Sequence, residues 1–164
     1  LIMNLLTLSI RRESLKTEVS VTGVLKEIGM IYAKGPDSCR ASLLVEAEEG
    51  LRASLNENEF RQIIHNLISN SLKALVPDRE GQIKLMAAAQ EKEVLVTVRD
   101  NGKGMTEEEV SKALEPFYTK SINGTGLGLS IVSRLVESNG GTMEIVSKSG
   151  VGTDVVLRFP GKMV

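Results

Sequence analysis

The sequence is poor in the residue types on which several kinds of protein depend. Its 164 residues include one cysteine, one histidine and no tryptophan, and aromatic residues make up 3%. Because Cys39 stands alone, no internal disulfide can form, which fits a reducing compartment. The chain shows no secretory signal and no apolar run that approaches the roughly 20 residues needed to span a bilayer. We therefore expect a cytoplasmic domain without direct membrane contact.

Charge and composition indicate one globular domain. The formal net charge is −1, hydrophobic residues make up 41% and charged residues 25%, and these proportions are typical of soluble proteins. A nearly neutral chain has no general attraction to nucleic acid or anionic lipid, so neither is expected as a partner. The length suffices for a single domain with a real core.

The first residues are predicted to belong to a longer protein. Residues 1–12 have a helical pattern whose apolar side has nothing local to cover it, and the chain begins with Leu1 rather than methionine. We expect residues 1–18 to be the end of an upstream helix and a linker, and residues 19–164 to form the domain. A parent protein with a membrane anchor elsewhere is compatible with this expectation.

Helical and strand patterns alternate along the rest of the chain. Apolar spacing predicts helices over residues 24–33, over residues 59–74 after Asn56, and over residues 127–138. Period-two alternation predicts strands over residues 19–21, 42–46, 82–88, 94–99, 143–146 and 154–159. Residues 35–37 are predicted as a turn, and the last two strands as a hairpin around residues 148–150.

The helix after Asn56 is the most informative segment. Asn56 is predicted to cap it, with Glu59 completing a variant of the capping box. Its apolar residues occupy one side, and a polar stripe occupies the other: Gln62, Asn66, Ser69, Asn70 and Lys73. Such a stripe is ordinarily a solvated face. However, two asparagines one turn apart weaken a helix, amide oxygens are neutral ligands for Mg²⁺, and a lysine on the same stripe can reach a phosphate.

Asp100 lies where an apolar strand ends, in the segment Asp-Asn-Gly-Lys-Gly. A simple turn explains Asp-Asn-Gly in isolation. A second glycine favours more than a turn, because Gly102 and Gly104 let the backbone approach a flat ligand at an entropic cost. A buried carboxylate at this position can accept a hydrogen bond from the exocyclic amine of adenine.

A glycine-rich run, Gly124-Thr125-Gly126-Leu127-Gly128-Leu129, opens the helix predicted over residues 127–138. Free N–H groups and the positive dipole end of a helix favour phosphate oxygens, and glycines clear side chains from the approach. Residues 106–123 lie between the two glycine segments and are interpreted as a hinged lid.

In this order and spacing, the segments resemble the motifs of the ATP-binding catalytic domain of sensor histidine kinases, within the GHKL superfamily that also holds gyrase, Hsp90 and MutL. Residues 66–70 resemble the N box, residues 100–104 the first G box and residues 115–118 the F box. Residues 124–129 resemble the second G box, and residues 140–142 with 150–153 resemble the closing hairpin. The short lid and the F box are similar to those of the nitrogen-regulation type.

The resemblance implies a fold and a ligand. The fold is a two-layer α/β sandwich, the Bergerat fold, in which helices cover one face of a mixed sheet. The ligand is ATP with Mg²⁺. The implied ligand of Mg²⁺ is Asn70, with Asn66 supporting it, and Asp100 with Thr153 would hold the adenine amine.

The other implied contacts lie in the glycine segments and on two lysines. Gly102 and Gly104 would shape the adenine wall. The second G box would contact the phosphates and anchor the lid through Gly124, Thr125, Gly126, Leu127, Gly128 and Leu129. Lys73 and Lys120 are implied phosphate contacts and, with Asn66, the implied catalytic residues. The family often has an aromatic residue after the N-box lysine, whereas here Ala74 follows Lys73.

The implied reaction is transfer of the γ-phosphoryl group to a histidine on a dimerisation domain. His65, the sole histidine, lies inside the N-box helix and is interpreted as structural, so the acceptor is expected upstream. The implied partners are that domain and a response-regulator receiver domain, in a homodimeric parent. Three alternatives stay open: an ATPase or clamp like gyrase or MutL, a serine kinase of the anti-sigma type, and a non-catalytic nucleotide-sensing module. The first two usually carry a glutamate where this chain has Asn66.

Overall fold

The computed structural model describes residues 15–118, 126 and 128–164. The predicted leader helix lies outside the described residues, as do four of the predicted site residues: Lys120, Gly124, Thr125 and Leu127. None of the described helices is both long enough and apolar enough to cross a membrane.

Four α-helices and seven strands follow one another along the described chain. The helices are α1 (Val21–Lys34), α2 (Glu57–Ala74), α3 (Glu107–Lys112) and α4 (Gly128–Ser138). The strands are β1 (Thr17–Ser20), β2 (Ala41–Ala47), β3 (Leu51–Leu55), β4 (Gly81–Gln90), β5 (Glu93–Asp100), β6 (Thr142–Lys148) and β7 (Gly152–Met163). A short 3₁₀ helix (Pro36–Cys39) occupies the predicted turn.

The strands form one mixed sheet in the order β1-β3-β7-β5-β4-β2, with β6 paired to β7. The β2–β4 pair is parallel and the other pairs are antiparallel. The long strand β7 joins the parts, because residues 153–160 pair with β5 while residues 161–163 pair with β3. The predicted mixed sheet is confirmed.

One face of the sheet carries the core. Alternate residues of β5 (Val94, Val96, Val98) and of β7 (Val155, Leu157, Phe159) are buried. Phe159 meets Phe60 of α2 edge to face, with ring centroids 5.8 Å apart, an arrangement that aromatic pairs favour. Charged residues occupy the opposite face, where Arg99 forms a bidentate pair with Asp154 at 2.8 and 2.6 Å. This is the predicted two-layer sandwich.

Two predictions near the start of the domain need correction. The strand predicted over residues 19–21 is β1, which ends at Ser20 because the Ser20 side chain caps α1 by accepting from the Gly23 N–H at 3.2 Å. Val21 is therefore helical. Strand β3 was not predicted, although Leu51, Ala53 and Leu55 alternate in the period of a strand and are buried.

The predicted lid segment contains a helix of its own. Residues 107–112 form α3, and Thr106 and Glu109 close a reciprocal capping box at its start. The Thr106 N–H donates to Glu109 Oε2 at 2.7 Å, and the Glu109 N–H donates to Thr106 Oγ1 at 3.3 Å. This cap satisfies two N–H groups that a helix start otherwise leaves unpaired, so part of the segment has regular structure.

The capping box predicted for α2 is half right. The Asn56 side chain accepts from the Glu59 N–H at 3.0 Å, so Asn56 is the cap. The second half is wrong, because the Asn56 N–H donates to Asn139 Oδ1 at 2.8 Å and not to Glu59. The Glu59 carboxylate instead accepts from Asn139 Nδ2 at 2.7 Å and from Ser138 Oγ at 2.9 Å. A tertiary contact has replaced the local one.

Candidate functional site

The two asparagines of the polar stripe lie on α2 beside its buried face. Both are half-buried, and Asn66 Nδ2 is buried without a hydrogen-bond partner among the described residues. A buried donor left unpaired costs about 1–3 kcal/mol. The stripe is therefore not a plain solvated face, because at least one amide is positioned for a polar group that the described residues do not supply.

The start of α4 lies close to Asn70, the second asparagine of the polar stripe. A Cβ built on Gly128 would lie 3.1 Å from Asn70 Oδ1 and 3.3 Å from Asn70 Nδ2. A side chain at position 128 would press on the amide, and Asn70 would have to shift by a few tenths of an ångström to accommodate it. The predicted N box and the described end of the predicted second G box are thus neighbours, although they lie far apart in the sequence.

Asp100 is held by the protein at the other end of the site. It is 8% exposed at the end of β5. Its Oδ1 accepts from the Gly102 N–H at 2.9 Å, and its Oδ2 accepts from Ser71 Oγ at 3.0 Å. Burial raises the pKa of Asp100, and hydrogen bonds from Gly102, Ser71 and the Thr153 backbone oppose that rise. The carboxylate is oriented and still has lone pairs that can accept from a ligand.

Ser71 was missed by the sequence analysis. It follows Asn70 on α2, is 4% exposed, and its hydroxyl links the polar stripe to Asp100. No spacing pattern reveals this contact, because the two residues are 29 positions apart and a buried serine on a helix has no signature of its own.

The first G-box glycines serve contacts between protein segments. A Cβ on Gly102 would lie 2.5 Å from the Ala74 carbonyl oxygen, to which the Lys103 N–H donates at 2.8 Å. Gly104 has φ +64° and lies against the Lys148 carbonyl oxygen, where a Cβ would come within 2.0 Å. These glycines let the loop after β5 pass between α2 and the β6–β7 turn. A loop in this position would form the wall expected beside adenine.

Thr153 is the register partner of Asp100 across β5 and β7. Its backbone hydrogen bond acts on Asp100, whereas its Oγ1 lies 2.7 Å from Ser147 Oγ. Ser147 Oγ in turn accepts from the Met105 N–H at 2.8 Å. The expected link between Thr153 and Asp100 therefore runs through the main chain, and the hydroxyl belongs to a network that fixes the loop after Gly104.

The F-box segment is tied to the glycine-rich run. The Phe117 N–H donates to the Gly126 carbonyl oxygen at 3.0 Å. Both residues have a φ of +67°, a conformation that costs a non-glycine residue about 1–3 kcal/mol. The Phe117 side chain is 68% exposed, so the strained backbone presents an aromatic ring to solvent beside the site.

The remaining predicted site residues divide between the core and the surface. Leu129 is half-buried and packs against the core, and Lys73 is exposed near the end of α2. His65 packs on α1, with Nδ1 3.3 Å from the Tyr32 hydroxyl. Burial, followed by the Arg61 charge, lowers the pKa of His65. Its ring therefore belongs to the α1–α2 contact.

The donor set fits magnesium held together with a nucleotide. Among residues 15–118, 126 and 128–164, no group of three or more His, Cys, Asp or Glu side chains could hold a metal ion. An amide oxygen at Asn70, the unpaired Asn66 amide and a glycine-lined helix start suit a hard cation that takes most of its ligands from phosphate and water. The residues present therefore fit Mg²⁺ bound with phosphates.

Comparison with known proteins assigns the chain to a protein family. A family profile described as histidine kinase-, DNA gyrase B- and HSP90-like ATPase matches residues 55–163. The chain belongs to this family. Among its relatives, sporulation kinase B of Bacillus subtilis (strain 168) is 28% identical over 148 residues, covering 90% of this chain and 34% of the relative. Sensor histidine kinase YvrG of the same organism is 31% identical over 163 residues, covering 94% and 28%.

Solved members of the family share the architecture. The nucleotide-free catalytic domain of histidine kinase ThkA superposes with a TM-score of 0.77 at 25% identity, covering 88% of this chain and 95% of that one. Full-length ShkA in complex with AMPPNP superposes with a TM-score of 0.84 at 23% identity, covering 99% of this chain and 35% of that one. At this identity the likeness supports the fold alone. The chain therefore has the architecture of a histidine kinase catalytic domain, and it spans about a third of the length of the curated relatives it matches.

Proposed function

We propose that this domain transfers the γ-phosphoryl group of Mg-ATP to a histidine on a dimerisation domain of its parent protein. The observation that carries the proposal is the approach of Gly128 to Asn70, with the unpaired Asn66 amide one turn away. This is a polar corner between α2 and the start of α4, to which Gly128 contributes no side chain. At its other end Asp100 provides an oriented acceptor for an adenine amine.

The proposed roles follow from this geometry. Asp100 accepts the adenine amine, while Ser71 and Gly102 hold the carboxylate in place. Asn70, supported by Asn66, would hold Mg²⁺, which when bound neutralises charge on the phosphate oxygens. The glycine-rich run would supply N–H groups to those oxygens, and Lys73 and Lys120 would supply positive charge. Phosphoryl transfer needs positioning and charge neutralisation more than covalent chemistry by the protein.

Asn66 favours transfer to a protein over hydrolysis. Water attack is promoted by a general base, and the described residues place an amide, which cannot accept a proton, one turn before the proposed metal ligand. His65 does not fit the role of acceptor, because it is held against Tyr32 of α1 while Asn70 faces the start of α4. An acceptor histidine on another domain fits both observations.

The proposed partners follow from the reaction. An upstream dimerisation domain would present the histidine, a receiver domain of a response regulator would take the phosphoryl group from it, and the parent would act as a cytoplasmic homodimer. Exposed Phe117 is bonded to the glycine-rich run through Gly126, on the side of the site where an acceptor domain would have to dock.

The test is incubation with γ-labelled ATP, alone and with the upstream helical hairpin of the parent added in trans. We expect no label on the isolated chain, and label on the hairpin that is lost in acid and kept in base. Asn70→Ala should abolish that label, and Gln62→Ala, on the same stripe, should keep it. Label on the isolated chain that survives His65→Ala, or label that survives acid, would overturn the proposal and favour the serine-kinase alternative.

A further inference from the structure

Asn139 is a buried polar residue far from the proposed chemistry. It follows α4 and is 1% exposed. Its Oδ1 accepts from the Asn56 N–H at 2.8 Å, and its Nδ2 donates to Glu59 Oε2 at 2.7 Å and to the Leu135 carbonyl oxygen at 2.8 Å. The bond to Leu135 would suffice to cap α4. The other two bonds join the end of α4 to the beginning of α2.

The contact has a counterpart at the other end of the same two helices. On α2, Glu59 and Asn70 are eleven residues apart, and Asn139, directly after α4, is also eleven residues from Gly128 at its start. Eleven residues of helix span about 16 Å. Helices α2 and α4 therefore run antiparallel over equal lengths, with Asn139 fixing one end and the Gly128–Asn70 approach at the other.

Between these ends the two helices pack together through apolar residues. The buried residues of α2 include Phe60, Ile63 and Leu67, and those of α4 include Ile131, Leu135 and Val136. Apolar packing alone tolerates a small sliding of one helix along another. A residue that bonds to two backbone groups and one carboxylate has discrete geometry and opposes that sliding.

We propose that Asn139 is a positioning residue for nucleotide binding: it fixes the register of α4 on α2 and so sets the approach of Gly128 to Asn70 at the phosphate end of the site. The proposal rests on the proposed function, because it takes the Gly128–Asn70 corner as the place of the phosphates. Asp100 lies on β5 and is oriented by Ser71 and Gly102, so the base contact does not depend on this register.

The test compares two ligands on purified wild-type and variant chains by titration calorimetry. Mg-AMPPNP reports on the phosphate end, and adenosine reports on the base end alone. Asn139→Ala should weaken Mg-AMPPNP about tenfold, the scale of one lost polar contact, and should change adenosine affinity less than about twofold, which is below that scale.

A matched control separates positioning from general loss of stability. Thr22→Ala removes another buried side-chain bond, from Thr22 Oγ1 to the Glu48 carbonyl oxygen at 2.5 Å, which joins the start of α1 to the segment after β2 and involves neither α2 nor α4. It should lower the midpoint of thermal unfolding without changing the ratio of the two affinities. Hydrogen exchange over residues 128–131 should rise in Asn139→Ala and not in Thr22→Ala.

The outcomes are distinct. If the two affinities keep their wild-type ratio in Asn139→Ala, because neither falls or because both fall equally, the positioning role is overturned. If Asn139→Ala does not fold, Glu59→Ala carries the test, because it removes the α2 side of the contact from a half-buried position and should shift the ratio in the same direction. Failure of the wild-type chain to bind Mg-AMPPNP would instead overturn the proposed function itself.

Discussion

The base end and the phosphate end of the proposed site are built differently. At the base end, both carboxylate oxygens of Asp100 accept hydrogen bonds from the protein, and its orientation is set before any ligand arrives. At the phosphate end, the buried Asn66 amide lacks a partner among the described residues, and the backbone of Gly128 lies close to the Asn70 amide. The protein itself orients the acceptor at the base end, whereas the Asn66 amide at the phosphate end is expected to find its hydrogen-bond partner in the ligand.

This difference indicates how the binding free energy divides. A preorganised acceptor selects among bases, because a ligand without a matching donor leaves the carboxylate unpaired. An unsatisfied amide gains most from a ligand that brings polar atoms with it. Discrimination should therefore reside in Asp100 and its supports, and dependence on phosphates and metal should reside on α2 and at the start of α4.

The largest effect is expected for Asp100→Asn. An asparagine can keep its Oδ1 on the Gly102 N–H and turn its NH₂ toward Ser71 Oγ, which can accept. It then has no charge and no second acceptor oxygen to offer the adenine amine. A hydrogen bond to a charged group contributes about 1.5–3 kcal/mol, so we expect every adenine nucleotide to bind about 10- to 100-fold more weakly. Preference for ATP over GTP should relax.

Fluorescence competition with ATP, ADP, adenosine and GTP measures this change. Asp154→Asn is the matched control, because Asp154 is a nearby acid that pairs with Arg99 on the opposite face of the sheet. Comparable losses in both variants would mean that local charge, and not contact with the base, governs affinity.

A smaller and selective effect is expected for Asn70→Ala. Affinity for Mg-ATP should fall about tenfold, the scale of one lost polar contact, while metal-free adenosine should bind as in the wild type. Titration calorimetry with and without Mg²⁺ gives both numbers, and Gln62→Ala serves as the control on the same stripe. Equal losses for the two ligands would remove the distinction between the ends of the site.

Much of this arrangement was predictable, and particular residues show why. Val94, Val96 and Val98 alternate within one short strand, so periodicity alone predicted β5 and the place of Asp100 at its end. The asparagines of α2 stood out because their residue type is unfavourable within a helix. The resemblance then assigned roles to residues that composition and spacing left open.

What was missed depends on contacts between distant segments. Ser71 and Asn139 act through partners 29 and more than 80 positions away, and no local pattern encodes such pairs. Glu59 was assigned to a capping box because that motif is local, but a tertiary donor on Asn139 competes for the same carboxylate. Helix α3 escaped prediction because six residues are too few to show a 3.6-residue period.

Ser71→Ala should sharpen the description of the base end. Loss of its donation to Asp100 removes an interaction that holds the pKa of that carboxyl down, while burial continues to raise it. Because only the carboxylate accepts at both oxygens, adenosine affinity should decline at a higher pH in the variant than in the wild type as the solution is acidified. The loss of affinity at neutral pH should be only about threefold, because the Gly102 N–H still holds the carboxylate.

Adenosine titrations between pH 4 and pH 8 test this expectation. Thr22→Ala is the control, since it also loses a buried hydroxyl but lies far from Asp100. Parallel pH profiles for the wild type and Ser71→Ala would show that Gly102 and Thr153 orient the carboxylate without the serine.

The smallest effect is expected on the side of α2 that faces away from both ends. His65 contacts Tyr32, and burial with the Arg61 charge holds the pKa of His65 below its ordinary value of 6.5. The unfolded chain therefore binds a proton more readily than the folded chain just below pH 6.5, and this residue's contribution to stability is lost as the pH falls through that window. His65→Gln should remove this loss of stability in acid. The effect on the free energy of unfolding should be below about 1 kcal/mol, because solvent screens the half-exposed ring. Urea unfolding of both proteins at pH 5 and pH 8 measures it. Affinity for Mg-ATP should not change at pH 8, and a clear loss there would place His65 among the residues that serve the nucleotide.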